Sequence, residues 1–472
     1  MNKFKQMTAL ALILGMTGAA GAYAQTPEPE DTGSGPQLDV IQITAQRRAA
    51  SVQDSAIAVS AISGENLEKD RILSFEDLAG SVTSLSFTAL SPLDQEFNVR
   101  GITNTRLDSP SADQSIGIFL DDVYVGRSGL FNADMYDIER VEVVRGPQGV
   151  LLGRNVVGGA ISIVTASPEF ETGGALSVSL GNYNETLVRG HVTGPINEVL
   201  AGRISFSSRD RGGFNHDLLH DRELDDLRSL QARAQLLFQP IDGNVSARLV
   251  IDYMDDESNG FHSVAIDGPD PATQGPWSAM RELIGTARGR PLDIRESFPE
   301  HPIYAGDTVE SPQALRREAW GVSLDIDRDI GDLATLTSIT GYRQGHAYNL
   351  YDQTGMGPNS GYGIVSPLLF RFPINEREEI SQFTQEFRLV SDLGDSNFDW
   401  IVGAYYQHDE VEKYDRSWAE VPFPALATLS GESHWDNFAE TTSAAVFGQL
   451  GYQFTENFRV VAGIRYTRDE KS

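Results

Sequence analysis

From residue 174 onward, the chain contains many short segments in which apolar and polar residues alternate. The alternation is clearest in the segments 175–180, 245–253, 320–326, 383–389 and 458–466. Successive side chains of a β-strand point to opposite faces, so this period predicts strands with one apolar and one polar face. Many such strands in series are typical of a barrel that faces lipid on the outside and an aqueous lumen on the inside.

The connections between the predicted strands alternate in length. We count about eleven strands from the alternating segments. Their short turns are at 194–198, 239–243, 329–332, 392–395 and 454–457, and their long connections are at 209–225, 256–318, 348–379 and 413–440. Outer-membrane barrels have short turns at one end and long loops at the other. A soluble β-sandwich, the alternative, would not require this alternation.

No later segment is predicted to be a transmembrane helix, because charged residues interrupt every apolar run within a few positions. A membrane protein without such helices has to close its strands into a barrel, since lipid cannot satisfy the backbone at an open edge. We therefore expect a transmembrane antiparallel β-barrel.

The first residues have the three parts of a secretory signal peptide. Lys3 and Lys5 give the positive start, 9–16 is apolar, and Ala22-Tyr23-Ala24 has the small-x-small pattern of a cleavage site. The apolar run is shorter than the roughly 20 residues that cross a bilayer, which argues against an anchor. We expect residues 1–24 to be the signal peptide. Residues 25–48 are expected to be a disordered segment, because its first half is rich in Pro, Glu, Gly and Ser.

Charge and cysteine content exclude several classes of function. Lys and Arg number 37 against 67 Asp and Glu, a formal net charge of −30. This sign opposes binding to nucleic acid, and we interpret most of the charge as solvated loops. Because the chain has no cysteine, it can form neither a disulfide nor a cysteine-based zinc site.

Glycines interrupt two β-prone runs between residues 138 and 165. The apolar residues of 141–144 and 161–164 flank five glycines, which are Gly146, Gly149, Gly153, Gly158 and Gly159. No Lys-Ser/Thr follows as in a phosphate-binding loop, and no G-x-G-x-x-G opens a helix. The whole segment resembles instead the plug domain of TonB-dependent outer-membrane receptors, and departs from it mainly at Val150, Leu152 and Ser162.

Other segments resemble the same domain. Phe97-Asn-Val-Arg-Gly101 matches its F-x-x-R-G strand, and 116–125 matches its hairpin, with Asp121 and Asp122 at the turn. Ser74 is predicted to be the N-cap of a helix, with Asp77 approximating a capping box. The resemblance implies a globular α/β plug domain over 49–167, followed by a β-barrel over 168–472.

A short β-prone segment precedes the plug and resembles the TonB box, the peptide that the energy-transducing protein TonB grasps. Its residues are Asp39, Val40, Ile41, Gln42, Ile43, Thr44 and Ala45. Such an extended segment can add a strand to the exposed edge of a sheet and bind through its main chain. The alternative is an ordinary first strand of the plug.

No constellation of residues supports catalysis or a cofactor. His216 and His220 have i, i+4 spacing, but their segment is polar and loop-like, so we favour a solvated loop over a metal site. Asp121 and Asp122 are adjacent, which hinders joint acid–base work, and no G-x-S-x-G motif is present. We expect no catalytic residue, no metal and no cofactor.

The resemblance also implies roles for plug residues. Arg100 and Arg145 are expected at the plug–barrel boundary, paired with carboxylates of the barrel wall in ion pairs that can be released under load. Gly101 and the five glycines of the motif mark the family, and those of the motif are expected to let the plug pack closely against the wall. Ligand contacts are expected from the loops 103–115 and 124–128, and the connection 256–318 could cover the mouth.

The function implied is energy-coupled uptake of a scarce solute across the outer membrane of a Gram-negative bacterium, with the plug and TonB box accessible from the periplasm. A ferric siderophore is the default solute, and a saccharide, haem or vitamin B12 are alternatives. TonB, outer-membrane lipid and the solute are the expected partners, with no nucleic acid. A passive porin-like barrel and a secreted β-rich hydrolase are further alternatives. Because about 11 strands are half of the roughly 22 implied, we also expect the sequence to be truncated.

Overall fold

The structure of the protein is a computed structural model. It describes residues 42–43, 47, 50–51, 57–89, 91–103, 109–127, 129, 135–218, 220–241, 243–263, 281–282, 285–286, 289–297, 314–353, 373–391, 397–419, 431–455 and 458–472. The predicted signal peptide and most of the predicted TonB box lie outside these residues.

The N-terminal part forms a small mixed sheet with two helices, which we call the plug. Its elements, after the short strands β1 (Gln42–Ile43) and β2 (Ala50–Ser51), are β3 (Ala58–Ser63), α1 (Gly64–Lys69), α2 (Phe75–Ser81), β4 (Leu85–Ala89), β5 (Gln95–Val99), β6 (Ile116–Leu120), β7 (Val123–Val125), β8 (Ile138–Arg145) and β9 (Gly159–Thr165). Five strands pair in the order β3-β8-β9-β6-β7, and β4 pairs with β5. Strands β6 and β9 are parallel, whereas the other pairs of this sheet are antiparallel.

Local sequence explains three of these elements. Ser74 caps α2 as predicted, because its Oγ accepts from the Asp77 amide at 3.3 Å while Asp77 Oδ2 accepts from the Ser74 amide at 3.0 Å. This is a complete capping box. The two apolar runs around the glycines form β8 and β9, also as predicted, and Val141, Val143 and Ile161 are almost fully buried.

The C-terminal part is a single antiparallel sheet of eleven described strands, which we call the wall. In chain order the elements are β10 (Gly173–Leu180), β11 (Thr186–Asn197), β12 (Leu200–Arg211), β13 (Asn215–Asp217), β14 (Arg222–Leu224), β15 (Leu227–Phe238), β16 (Val245–Ser258), β17 (Glu296–Ser297), β18 (Ala314–Ile330), β19 (Ala334–Asp352), β20 (Pro373–Ser391), β21 (Phe398–Ala419), β22 (Gly431–Thr455) and β23 (Phe458–Lys471). Strands β13, β14 and β17 form a separate small sheet. The number of wall strands agrees with the predicted eleven. Strands β10 and β23 are the edge strands of the wall.

The lengths of the connections follow the predicted alternation with one exception. Short turns at 198–199, 239–244, 331–333, 392–397 and 456–457 alternate with longer connections at 212–226, 259–313, 353–372 and 420–430. The exception is 181–185, a short turn at the end of the wall where the other connections are long. Several strands extend beyond the alternating segments. The charged residues near the ends that lead to the longer connections still form backbone pairs with neighbouring strands.

The two faces of the wall differ in polarity, as the alternation predicts. The outer face exposes apolar residues such as Ile251, Val402 and Val446, whereas the inner face buries polar ones such as Arg203 and Gln407. In the middle part of β18 and β19, the Trp320 and Tyr342 rings lie 5.4 Å apart on the outer face. No described helix is both long enough and apolar enough to cross a membrane.

The hydrophobic core of the plug continues into the inner face of the wall. One cluster of buried residues joins plug side chains such as Phe75 and Ile163 to Met254, Ala319 and Val411 of the wall. Apolar packing therefore holds the plug against the wall, and the polar contacts between the two are added to this packed contact.

Candidate functional site: the plug–wall interface

A tight turn between β6 and β7 carries two carboxylates into the interface. Asp121 and Asp122 both have a left-handed backbone, with φ of 47° and 65°, as a two-residue hairpin turn requires. Asp121 Oδ1 accepts a hydrogen bond from the Thr165 amide at 2.9 Å and lies 3.4 Å from Nη1 of Arg248 in β16. The turn is therefore tied both to the end of β9 and to the wall.

Asp122 is one member of a closed ring of four charged side chains. Its Oδ1 lies 2.7 Å from Nη1 of Arg47, and its Oδ2 lies 3.1 Å from Nη2 of Arg388. Glu386 closes the ring, with Oε2 2.9 Å from Nη2 of Arg47 and Oε1 3.1 Å from Nη1 of Arg388. We call Arg47, Asp122, Arg388 and Glu386 the charge ring.

The charges of the ring balance, although Arg47 and Glu386 are buried and Asp122 and Arg388 are partly buried. Arg47 is 5 % exposed, and its guanidinium carbon lies 5.9 Å from the centre of the Phe119 ring. Burial raises the pKa of Asp122, but Arg47 and Arg388 lower it by more, so the pKa of this carboxyl is held below its ordinary value of 3.8. Asp122 therefore stays ionised at neutral pH, as an ion pair with two arginines requires.

A second polar contact between the plug and the wall lies at the start of the glycine motif, and we call each such contact a tie. Asp137 precedes β8 and has a left-handed backbone with φ of 51°. Its Oδ2 accepts from Nε of Arg203 in β12 at 2.9 Å, and its Oδ1 pairs with Nη2 of the same guanidinium. Arg233 of β15 lies 4.8 Å from the centre of the neighbouring Tyr136 ring. This tie joins the plug to the N-terminal strands of the wall.

Three further ties lie toward the ends of the strands with the longer connections. Nε and Nη2 of Arg127 in the plug donate to the two carboxylate oxygens of Glu378 in β20, at 2.6 Å and 2.5 Å. Arg317 of β18 pairs with Asp256 at 2.9 Å and donates to the Gly129 carbonyl at 3.1 Å. The buried ammonium of Lys413 lies 3.6 Å from Asp94. The polar contacts thus run along much of the plug.

Most ties join a carboxylate of the plug to a cation of the wall. At Asp121, Asp122, Asp137 and Asp94 the plug supplies the carboxylate and the wall the cation. Arg100 is exposed, with its amide donating to the Ser84 carbonyl at 3.1 Å, and Arg145 is half-buried at the end of β8. In the described part of the chain neither guanidinium forms an ion pair with a wall carboxylate. Their role at the boundary stays a prediction.

The glycines of the motif have different surroundings. A Cβ on Gly159 would lie 2.2 Å from the Val144 carbonyl oxygen, and one on Gly158 would lie 2.5 Å from Ile116, both inside the plug. Gly153 meets the wall, since its Cβ would lie 3.0 Å from Nη2 of Arg465. The three remaining positions, Gly101, Gly146 and Gly149, have only distant neighbours or open space. Of these six glycines, Gly153 alone packs against the wall.

The predicted TonB box is described at two of its positions. Gln42 and Ile43 form β1, which pairs antiparallel with β2 through Gln42–Ser51 and Ile43–Ala50. The positions 39–41 and 44–45 lie outside the described residues. Arg47, a member of the charge ring, lies between β1 and β2 along the chain.

The described residues contain no group of three or more His, Asp or Glu side chains that could hold a metal ion. His216 and His220 face different carboxylates: His220 Nδ1 lies 2.7 Å from Asp217 Oδ2, and His216 Nε2 lies 3.4 Å from Asp221. The residues that sequence reasoning missed are Arg47, Asp122 and Asp137. The two adjacent aspartates of a predicted hairpin turn were the available signal, but their partners are far away in sequence.

Two family models match the chain. The model described as TonB-dependent Receptor Plug Domain matches residues 51–160, and the model described as TonB dependent receptor-like, beta-barrel, matches residues 241–472. The matched ranges contain the charged turn of the plug and its arginine partners in the wall.

Several curated proteins are similar in sequence. The pesticin receptor of Yersinia enterocolitica (serotype O:8) is 22% identical over 463 residues, which cover 97% of this chain and 59% of that protein. The ferrioxamine receptor of Yersinia enterocolitica is 29% identical over 144 residues, which cover 30% of this chain and 19% of that receptor. The chain thus spans less than two thirds of the length of these relatives.

Solved structures share the fold. The ferric yersiniabactin uptake receptor FyuA of Yersinia pestis has a TM-score of 0.67 and 18% identity, over 88% of this chain and 57% of that one. The ferric-catecholate import receptor Fiu of E. coli K12 has a TM-score of 0.64 and 16% identity, over 89% of this chain and 61% of that one. With the plug, the eleven-stranded wall and both family models in agreement, the chain belongs to the family of TonB-dependent outer-membrane receptors.

Proposed function

We propose that the protein takes up a ferric siderophore across the outer membrane of a Gram-negative bacterium, with energy supplied through TonB. The observation that carries the proposal is a plug fixed to the inner face of a membrane wall by buried ion pairs. Breaking a buried ion pair leaves uncompensated charges and is costly, so displacing such a plug requires an input of energy. The names of the relatives favour a ferric siderophore as the solute, since receptors for ferrioxamine and yersiniabactin are among them.

The parts of the chain have distinct roles in this proposal. Residues 1–24 direct export, residues 25–48 carry the TonB box at Asp39 to Ala45, residues 49–167 form the plug, and residues 168–472 form the barrel part. TonB binds the box from the periplasm, and the box adds a strand to the edge of a TonB sheet. The protein itself binds and translocates the solute and catalyses no reaction.

Growth under iron limitation tests the proposal. A strain lacking the gene is complemented with the wild-type gene or with a gene lacking codons 39–45, and is supplied with one ferric siderophore at a time from the hydroxamate, catecholate and mixed-ligand classes. We expect the wild-type gene to restore growth and radioactive iron uptake on at least one class. The deletion should abolish that uptake in cells that have TonB, and wild-type uptake should be lost in cells without TonB.

Two outcomes would contradict the proposal. Uptake that survives the deletion and the loss of TonB would indicate a passive pore. Uptake of a saccharide, haem or vitamin B12 with no response to any siderophore would retain TonB coupling but replace the solute.

A further inference from the structure

A group of buried polar side chains lies at the outer end of the plug–wall interface, near the longer connections. Asp94 comes from the plug, Asn349 and Glu376 come from β19 and β20, and Lys413 and Asp415 come from β21. We call these five residues the outer cluster. Four of them are more than nine-tenths buried, whereas the Asp415 side chain is 22 % exposed. The outer cluster is therefore buried but reaches solvent at Asp415.

The outer cluster contains more carboxylates than cations. The Lys413 ammonium lies 3.6 Å from Asp94 and 3.7 Å from Asp415. Glu376 accepts a hydrogen bond from the Asn349 amide at 2.7 Å, and it forms no ion pair with another described residue. Three carboxylates thus share one ammonium, which leaves a formal excess of two negative charges. Because buried charges are normally paired, the cluster lacks a second cation.

Three polar atoms of the outer cluster also lack a hydrogen-bond partner in the described part of the chain. Oδ2 of Asp94 accepts from the Ser91 hydroxyl at 3.2 Å, whereas its Oδ1 accepts no hydrogen bond. Asn349 is fully buried and donates to Glu376, but its Oδ1 accepts none either. The Lys413 ammonium donates to neither of its acids, since both lie beyond hydrogen-bond distance. Two buried acceptors therefore lack a donor.

An organic ammonium supplies what the outer cluster lacks. Its N–H groups fill the two acceptors, and its charge offsets the excess of carboxylates. Water can supply donors but leaves the charge unbalanced, and the described carboxylates do not converge as the ligands of a metal ion do. The buried Tyr351 lies close enough to all three carboxylates for their charges to act on it. An aromatic ring beside carboxylates favours an ammonium further.

We propose that the outer cluster binds a protonated amine of the transported ferric complex, and that the protein therefore prefers cationic complexes to neutral or anionic ones. The amine enters past Asp415 and donates to Oδ1 of Asp94 and Oδ1 of Asn349, beside the carboxylate of Glu376. The part of the complex that holds the iron stays on the outer side. The inference rests on the proposed function for its cargo and names a class within it.

Three ferric complexes that differ only in the charge of one end test the inference. All have the same linear trihydroxamate chain, which ends in a free amine, an acetylated amine or a succinylated amine. The end is then positive, neutral or negative at neutral pH. Equilibrium binding of these complexes, with radioactive iron, is measured on outer membranes of cells without TonB, so that no transport is needed. The receptor is the wild type or carries Glu376→Gln, Asp94→Asn or Glu412→Gln.

We expect the wild type to bind the amine complex about tenfold more tightly than the acetylated complex, and to bind the succinylated complex most weakly. Glu376→Gln removes a charge but keeps an oxygen for the Asn349 amide, and Asp94→Asn keeps the size of the side chain. Each change should reduce the preference for the amine to about twofold. Because the preference is a ratio of two affinities of one sample, a smaller amount of folded receptor does not alter it.

Glu412→Gln is the matched control. Glu412 is exposed and follows Val411 on the strand that carries Lys413, so the change removes the same charge outside the outer cluster. The preference for the amine should stay within about twofold of the wild-type value. A loss of preference in this variant equal to that in Glu376→Gln would mean that general surface charge, and not the outer cluster, selects the complex.

Three further results would overturn the inference. Equal affinities of the wild type for the three complexes would mean that the amine is not recognised, and binding of none of them would exclude this class of cargo. A preference that persists in both Glu376→Gln and Asp94→Asn would place its recognition elsewhere. Selective binding without TonB-dependent uptake would instead contradict the proposed function and leave the amine site intact.

Discussion

Individual aspartates serve the backbone and the interface at the same time. Asp121, Asp122 and Asp137 all have a left-handed backbone, with φ of 47°, 65° and 51°, a conformation that Asp and Asn tolerate better than most residues. All three carboxylates also bind arginines of the wall. An Asp→Asn change at such a position keeps the backbone preference and removes only the charge.

Asp137→Asn is predicted to loosen the plug in a way that depends on pH. The Asp137 and Arg203 side chains are 6 % and 5 % exposed, and removing one partner of a buried ion pair costs about 3 kcal/mol. Burial raises the pKa of Asp137, but the hydrogen bond and charge of Arg203 lower it by more, so its pKa lies below the ordinary value of 3.8. The pair therefore stabilises the folded protein fully above that value, and its contribution is lost as the pH falls through the lower pKa of the folded state.

Chemical unfolding of the detergent-solubilised protein measures this effect. The difference in unfolding free energy between the wild type and Asp137→Asn should be constant from pH 7 to about pH 4 and should shrink as the pH falls further, toward about pH 2. Asp221→Asn, at an almost fully exposed carboxylate, should show no such difference at any pH. A constant difference across the range would mean that Asp137 acts through packing and not through its charge.

The sequence predicts the elements that carry these residues but not their partners in the wall. The strand motif, the hairpin turn and the capping box at Ser74 depend on neighbours in sequence, and all three form. The tie between Asp137 and Arg203 depends on which wall strand lies beside the plug, and the alternation of apolar residues is the same in every wall strand. The prediction for Arg100 and Arg145 rests on resemblance alone, and no local pattern distinguishes them from the arginines that form the ties.

At the scale of elements, the plug sheet requires a glycine where β9 begins. Gly159 pairs with Arg145 of β8 and with Ile116 of β6, so β9 is enclosed by strands on both sides. Its φ of 153° and the 2.2 Å approach of a Cβ to the Val144 carbonyl leave no room for a side chain. The density of glycines in the motif was evident from the sequence, but the one that the sheet needs most was not.

Gly159→Ala is predicted to destabilise the plug by about 2–3 kcal/mol, through strain and the displacement of β8. Gly149→Ala is the matched control from the same motif, because a Cβ there would meet its nearest atom at 3.7 Å, and its effect should stay within about 0.5 kcal/mol. Limited proteolysis of the purified receptor measures both, since an unfolded plug is cleaved while the wall resists. Equal protease resistance of the two variants would contradict this account of Gly159.

For the whole molecule, the outer face of the wall determines how the protein sits in a membrane. On β21 the outward residues run from Phe398 through Val402 to Tyr406, and each of these is substantially exposed. Farther along the same face lies Glu410, which is exposed and charged. An apolar band with aromatic residues at its borders and charges beyond it is the arrangement of a strand that crosses lipid.

Val402→Arg is predicted to reduce membrane stability by about 2–4 kcal/mol, the cost of an arginine near the middle of the bilayer. Glu410→Arg places the same side chain on the same strand beyond the band, where the cost is about 0–1 kcal/mol. Both variants are folded into lipid vesicles, and their urea midpoints and heat-resistant mobility in gels are compared with the wild type. Because backbone pairing with β20 and β22 is the same at both positions, a difference between them reports the depth of the side chain in lipid. Equal losses would mean that the band from Phe398 to Tyr406 does not face the hydrocarbon region.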